Sequence, residues 1–124
     1  MTAKRTPSRG EIWWTNSPTD PPDKGRRPVI VVSPNVRNQH ERASTVLVVP
    51  LSTSVHRIGP AHVLLRAGET GLGLDCVAQA DNISVVLKAM LQEPRPSQRA
   101  LSNSLVCRLA GMVALAMACT ETKR

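Results

Sequence analysis

Two runs of branched apolar residues divide this chain, VIVV at 29–32 and TVLVVPL at 45–51. Val and Ile pack well on a pleated surface, and no charge interrupts either run, so each reads as a strand buried on both faces. Pro50 removes a backbone donor near the end of the second run and predicts an edge or a bulge there. Upstream, RGEIWWT at 9–15 reads as a first strand opened by Gly10, with Ile12 and Trp14 on one face and Glu11 and Trp13 on the other. One tryptophan is expected in the core and its neighbour at least partly exposed. Packing against the sheet and stacking on a base are the two readings of this pair.

Polar segments separate the strands. NSPTDPPDK at 16–24 has three prolines, two aspartates and no apolar residue, the pattern of an exposed loop. Residues 33–44 predict a turn followed by a short helix or irregular loop, and 55–60 a second loop carrying His56 and Arg57. A short strand is expected at 61–65, glycine turns around Glu69, a strand at 75–83, and a last strand, or the turn into one, at 85–91. Gly68, Gly71 and Gly73 lack the GxGxxG or Walker spacing and read as turns. After a breaker at 94–97, Leu105, Leu109, Met112, Val113, Ala116 and Met117 recur at helical spacing over 101–120, with Ser102 or Asn103 able to cap the start. The pattern predicts one mainly β (α+β) domain over 1–124: a strongly bent antiparallel sheet or partly open barrel, a C-terminal helix, and a flexible basic tail at 1–8.

Composition narrows the setting. The chain is 124 residues long and 41% apolar, with no run long enough to cross a bilayer, and its first seven residues hold no apolar segment, so a soluble cytoplasmic protein without a secretory signal is expected. Cys76, Cys107 and Cys119 are odd in number and lack CxxC spacing, which argues against a disulfide framework and a zinc site. The net charge is +7. Residues 1–42 carry eight Lys or Arg against four acids and residues 92–124 carry five against two, whereas 43–91 balance at three each. Polyanions are therefore the first partner class to consider, since phosphate neutralisation releases counterions.

Few residues are placed for chemistry. Asp75 and Asp81, if in one strand, share a face but lie about 20 Å apart by strand rise. None of the three histidines has an HxxH-like partner, and neither a metal nor a cofactor is expected. What stands out is Arg27, followed by Pro28, whose ring biases the preceding residue toward extended backbone and restricts the guanidinium's approach. If the two branched strands are antiparallel neighbours, Arg27 meets the hydroxyls of Ser52, Thr53 and Ser54 at one rim. Fixed donors of this kind stabilise the charge that develops on a phosphorus centre under attack.

RGEIWW, GRRPVIVVSPN, TVLVVPLSTS and GLGLDCVAQADNI resemble, in that order and spacing, the MazF/PemK family of toxin endoribonucleases from bacterial toxin–antitoxin pairs. The resemblance spans about residues 8–118. It is most specific at the Arg-Pro after the loop and the Pro-Leu-Ser end of the second branched strand. It implies a homodimeric, SH3-like barrel that cuts single-stranded RNA without a metal, the ribose 2'-OH attacking phosphorus to leave a 2',3'-cyclic phosphate and a 5'-OH. The family's catalytic arginine maps to Arg27, which would neutralise the phosphate and protonate the leaving oxygen. Its catalytic threonine maps to Ser52, which keeps the hydroxyl and loses the rotamer-restricting methyl. Arg26, Thr53, Lys24, His56, Arg57 and Trp13 are the candidate RNA contacts, and the loops at 16–24 and 55–60 would shape base selection. Where many members have Gln-Ile-Arg-Thr, this chain has Asn82, Ile83, Ser84 and Val85. The implied partners are single-stranded RNA, a second copy of the chain and an antitoxin with an acidic, partly disordered tail over the basic rim. Two other readings stay open: a CcdB-like toxin that binds a protein such as DNA gyrase without nuclease chemistry, and an inactive nucleic-acid-binding module.

Overall fold

The two branched runs become adjacent antiparallel strands, β2 (Arg27–Val31) and β3 (Thr45–Ser52), with Val29 opposite Pro50, Ile30 opposite Val49 and Val31 opposite Val48. The structure is a computed structural model that describes residues 5–16, 25–56, 58–94, 98 and 100–122, with side chains described up to residue 114. β1 (Ile12–Thr15) lies along the other edge of β2. β4 (His62–Leu65) and β5 (Cys76–Gln79) pair with each other, and β5 joins β3 at Leu51 and Ser52. β6 (Ser84–Leu87) pairs with the first half of β3. The result is an open six-stranded antiparallel sheet in the order β1-β2-β3-β5-β4, with β6 also on β3. Two four-residue helices, α1 (Asn35–Asn38) and α2 (Ala67–Thr70), sit in connections, and α3 (Asn103–Thr122) closes the chain.

Both faces of β2 and β3 are buried because two separate cores form against them. Trp13, Val29, Val31, Val46, Val48 and Leu91 make one. Ile12, Ile30, Val49 and Leu51 face the other, which Leu101, Leu105, Val106 and Leu109 cover from α3 and its approach. The first core is nearly encircled: beyond β6, Gln92 exchanges backbone hydrogen bonds with Trp14 at 2.7 and 3.0 Å, bringing the chain back to β1. That contact gives an open sheet its barrel-like bend.

Pro50 lies in the most heavily paired strand, against the expectation of an edge. The reason is local. The Leu47 carbonyl accepts from Val32 N–H, so odd-numbered residues of β3 aim their backbone at β2 and Pro50 aims away from it. On that far side the partner changes from β6, which ends its pairing at Val48, to β5, which begins at Leu51. The missing donor falls in the gap between them.

Other boundaries shift for identifiable reasons. Residues 75–83 do not form one strand: β5 ends at Gln79 and a 3₁₀ turn, Ala80–Asn82, carries the chain to β6. Asp75 and Asp81 therefore belong to different segments. The chain is also tied down earlier than the tail at 1–8 suggests. Arg5 pairs with Glu11 and lies 5.7 Å above the Trp13 ring, Ser8 N–H donates to Glu11 Oε1 at 2.7 Å, and Pro7 is buried. Gly10 has φ 92°, and a Cβ there would come within 3.2 Å of both Leu101 O and Val106 Cγ2, so a side chain is excluded where α3 docks. Ser102 is the cap of α3, its Oγ accepting from Leu105 N–H at 3.3 Å. Ala116, Met117 and Cys119 lie beyond the described side chains, as do residues 95–97 of the breaker. Among the described residues, no helix is long and apolar enough to cross a membrane.

Candidate active site

Arg27 and Ser52 stand at neighbouring ends of the antiparallel strands β2 and β3. Continuing the β2–β3 alignment two residues beyond Val29 and Pro50 sets Arg27 opposite Ser52. Side chains alternate along a strand, so Arg27 shares a face with Val29 and Val31, and Ser52 one with Val46 and Val48. Both thus stand on the Trp13 side of the sheet, at the strand ends where that core stops. Thr15 is paired with Arg27 across β1 and β2, and Val77 with Ser52 across β5 and β3. A row Thr15, Arg27, Ser52 crosses three strands. Thr15 was not legible as part of it, because the register of β1 on β2 passes through a connection of eleven residues, 16–26, with no hairpin signature to count from.

Arg27 and Ser52 are both half-buried. Ser52 Oγ accepts a hydrogen bond from Ser54 N–H at 3.1 Å. That bond does for a serine what a β-methyl does for a threonine, since it holds the oxygen in one orientation and leaves the O–H to donate outward. Thr53, Ser54 and His56 follow on the surface, as does Arg26 beside Arg27. Lys24 and Arg57 lie outside the described residues, as do 17–24 of the proline-rich loop.

Trp13 requires a correction. Its side chain is 0% exposed, and its Nε1–H donates to Glu11 Oε1 at 3.0 Å beneath Arg5. No base can reach that ring; it fills the core beneath the row. Trp14 is the half-buried neighbour, and its Nε1–H donates to Gln98 Oε1 at 2.8 Å.

The carboxylates nearby are engaged in structure. Asp75 accepts from Ala67 N–H at 2.9 Å and Arg66 Nη1 at 3.1 Å, and these bonds, the backbone one foremost, hold its carboxyl below the usual value of 3.8. A lowered native value means the ionised form is favoured by folding, so the stabilisation is complete above the ordinary carboxylate range and fades as pH falls through the native value. Thermal denaturation of the protein and of Asp75→Asn should therefore differ at pH 7, with the substituted protein melting earlier, and converge once pH has fallen through the lowered native value. Burial pushes the Cys76 thiol up, so it stays neutral. Asp81 faces His62, with Nε2 to Oδ1 at 3.1 Å. Among the described residues, no three His, Cys, Asp or Glu gather where they could hold a metal ion.

Comparison with known proteins gives consistent matches. The PemK-like, MazF-like toxin family of type II toxin–antitoxin systems matches residues 8–115. Endoribonuclease MazF9 of Mycobacterium tuberculosis (strain ATCC 25618 / H37Rv) is 34% identical over 93 residues, covering 69% of this chain and 77% of that protein. Among solved structures, the Mycobacterium tuberculosis toxin MazF-mt6 is 25% identical, with 87% of this chain and 96% of the toxin covered at a TM-score of 0.67. An endoribonuclease in complex with its cognate antitoxin, from a mycobacterial species, is 24% identical and covers 90% of this chain and 95% of its own at a TM-score of 0.69.

Proposed function

The chain belongs to the PemK-like, MazF-like toxins of type II toxin–antitoxin systems, and we propose that it is an endoribonuclease that cuts single-stranded RNA at the Arg27–Ser52 row. The observation that supports this reading is the antiparallel β2–β3 register, which, continued past Val29 and Pro50, points Arg27 and an oriented Ser52 hydroxyl at one rim. The reaction needs an attacking 2'-OH in line with the departing 5'-oxygen. As the O2'–P bond forms and the P–O5' bond breaks, negative charge collects on the phosphoryl oxygens, and the proton lost from the 2'-OH is matched by one gained on the 5'-oxygen. Arg27 balances that charge and supplies the leaving oxygen with a proton, while the 2'-OH proton passes to water and solvent restores the guanidinium. Ser52 donates to a phosphoryl oxygen. The chemistry calls for no metal, and the products are a 2',3'-cyclic phosphate and a 5'-OH.

Arg26, Thr53 and His56 line the approach, with Lys24 and Arg57 the further basic residues expected there. The antitoxin would cover this basic rim with an acidic segment, a reading supported by the relative solved with its cognate antitoxin. A homodimer is supported by the apolar surface around β6, where Val85, Leu87 and Met90 are 59%, 51% and 58% exposed. The site of action is the cytoplasm, where messages are translated.

Incubation of the purified protein with a long single-stranded RNA in EDTA, followed by sequencing of 5'-OH ends, tests the function. Cuts at a short recurring motif are expected, and Ser52→Ala should slow them by about 10²–10³-fold, the loss typical of one transition-state hydrogen-bond donor. RNA left intact, or cuts only with added divalent metal, would refute the reading.

A further inference from the structure

His62 is bonded through both ring nitrogens, each to a different segment. Gly59 N–H donates to Nδ1 at 2.9 Å, and Nε2 lies 3.1 Å from Asp81 Oδ1. A backbone N–H can meet only a lone pair, so Nδ1 is the bare nitrogen and Nε2–H is the donor to Asp81. The first bond closes the exit of the β3–β4 connection, residues 53–61, helped by His62 N–H to Gly59 O at 3.1 Å. The second fastens that exit to the 3₁₀ turn between β5 and β6, where Ala80 N–H also donates to Ala61 O at 3.1 Å. The entrance of the same connection is held by Ser54 N–H on Ser52 Oγ. Both ends are thus pinned, while Val55, His56 and Ile58 between them are exposed.

We infer that His62 and Asp81 are positioning residues for RNA selection: they hold the described parts of the β3–β4 connection, 53–56 and 58–61, in one conformation beside Ser52, and so decide which bases its exposed side chains meet. The inference rests on the nuclease reading. Unstacked bases are distinguished by side chains at set distances, and a displacement of about 1 Å is enough to cost up to about 10²-fold in a positioned reaction. The imidazole is 16% exposed and Asp81 48%, so Asp81 can be removed with little burden on the core.

The test compares the protein with Asp81→Ala and His62→Ala by mapping cuts across one long RNA and measuring kcat and KM on the preferred and a singly mismatched oligonucleotide. Both variants should discriminate about tenfold less between the two oligonucleotides, with the loss falling on KM more than on kcat, and amide exchange should quicken across 53–61 but not in β2. His62→Gln, whose terminal amide can still reach Asp81, should recover more of the discrimination than His62→Asn, which reaches only as far as Nδ1. If the unsubstituted protein cuts and both alanine variants choose the same sites with the same ratio, the positioning role is wrong and the nuclease reading stands. If the unsubstituted protein cuts no RNA, the nuclease reading falls and this inference with it.

Discussion

Arg27→Ala is expected to abolish measurable cleavage, lowering the rate on single-stranded RNA by about 10³–10⁵-fold, the range for removing an arginine that neutralises a phosphoryl transition state. The argument is one of place and charge. Arg27 is half-buried at the end of β2, paired with Thr15 of β1, and the β2–β3 register continued past Val29 and Pro50 points it at Ser52. It is followed by Pro28, so its backbone is held extended where its side chain must reach the phosphate. Lys at this position keeps the charge and loses the planar fork, so Arg27→Lys should recover only a fraction of the rate. Arg26→Ala, one residue away on an exposed position, should act mainly on KM. Single-turnover kinetics on a defined oligonucleotide separate the three. A rate for Arg27→Ala within tenfold of the unsubstituted protein would move the centre of the chemistry elsewhere.

Trp13→Ala should carry the largest penalty in stability, about 3–5 kcal/mol, as expected for removing a large buried aromatic side chain. The ring is the largest fully buried side chain and fills the space between β1, β2, β3 and Leu91. Its loss also strips a hydrogen bond from Glu11, a carboxylate buried beside it. Against a typical total of about 5–15 kcal/mol, this is a large share of the stability, and at the low end of that range it unfolds the domain. Urea denaturation followed by circular dichroism gives the number. Trp13→Phe keeps much of the volume but not the indole donor, and should cost about 1–3 kcal/mol.

The branched runs were legible because burial on both faces leaves an unmistakable mark, four or more apolar residues without alternation. The antiparallel adjacency of β2 and β3 followed from those runs, and the start of α3 from Ser102 or Asn103, of which Ser102 is the cap. Other features depend on partners distant in sequence. Trp13 and Trp14 look alike in the chain, and only the return of Gln92 to β1 decides which ring is enclosed. His62 reads as one more strand residue until Gly59 and Asp81 arrive from either side. The end of β5 at Gln79 has no breaker to announce it, since Ala80 and Asp81 continue the strand pattern and turn only because the chain must cross from β5 to β6. Pro50 pointed to an edge or a bulge, and the missing donor falls instead at a change of partner from β6 to β5.

That change of partner also shapes how the domain comes apart. β3 is the common wall of two cores, giving Val46 and Val48 to one and Val49 and Leu51 to the other. Loosening either side should disturb the strand on both, so the two cores are expected to melt together. During synthesis the same wall waits for its last tenants, since Leu105 and Leu109 lie far downstream of β3. The rim that carries Arg27 and Ser52 is therefore not backed on both sides until α3 has been added.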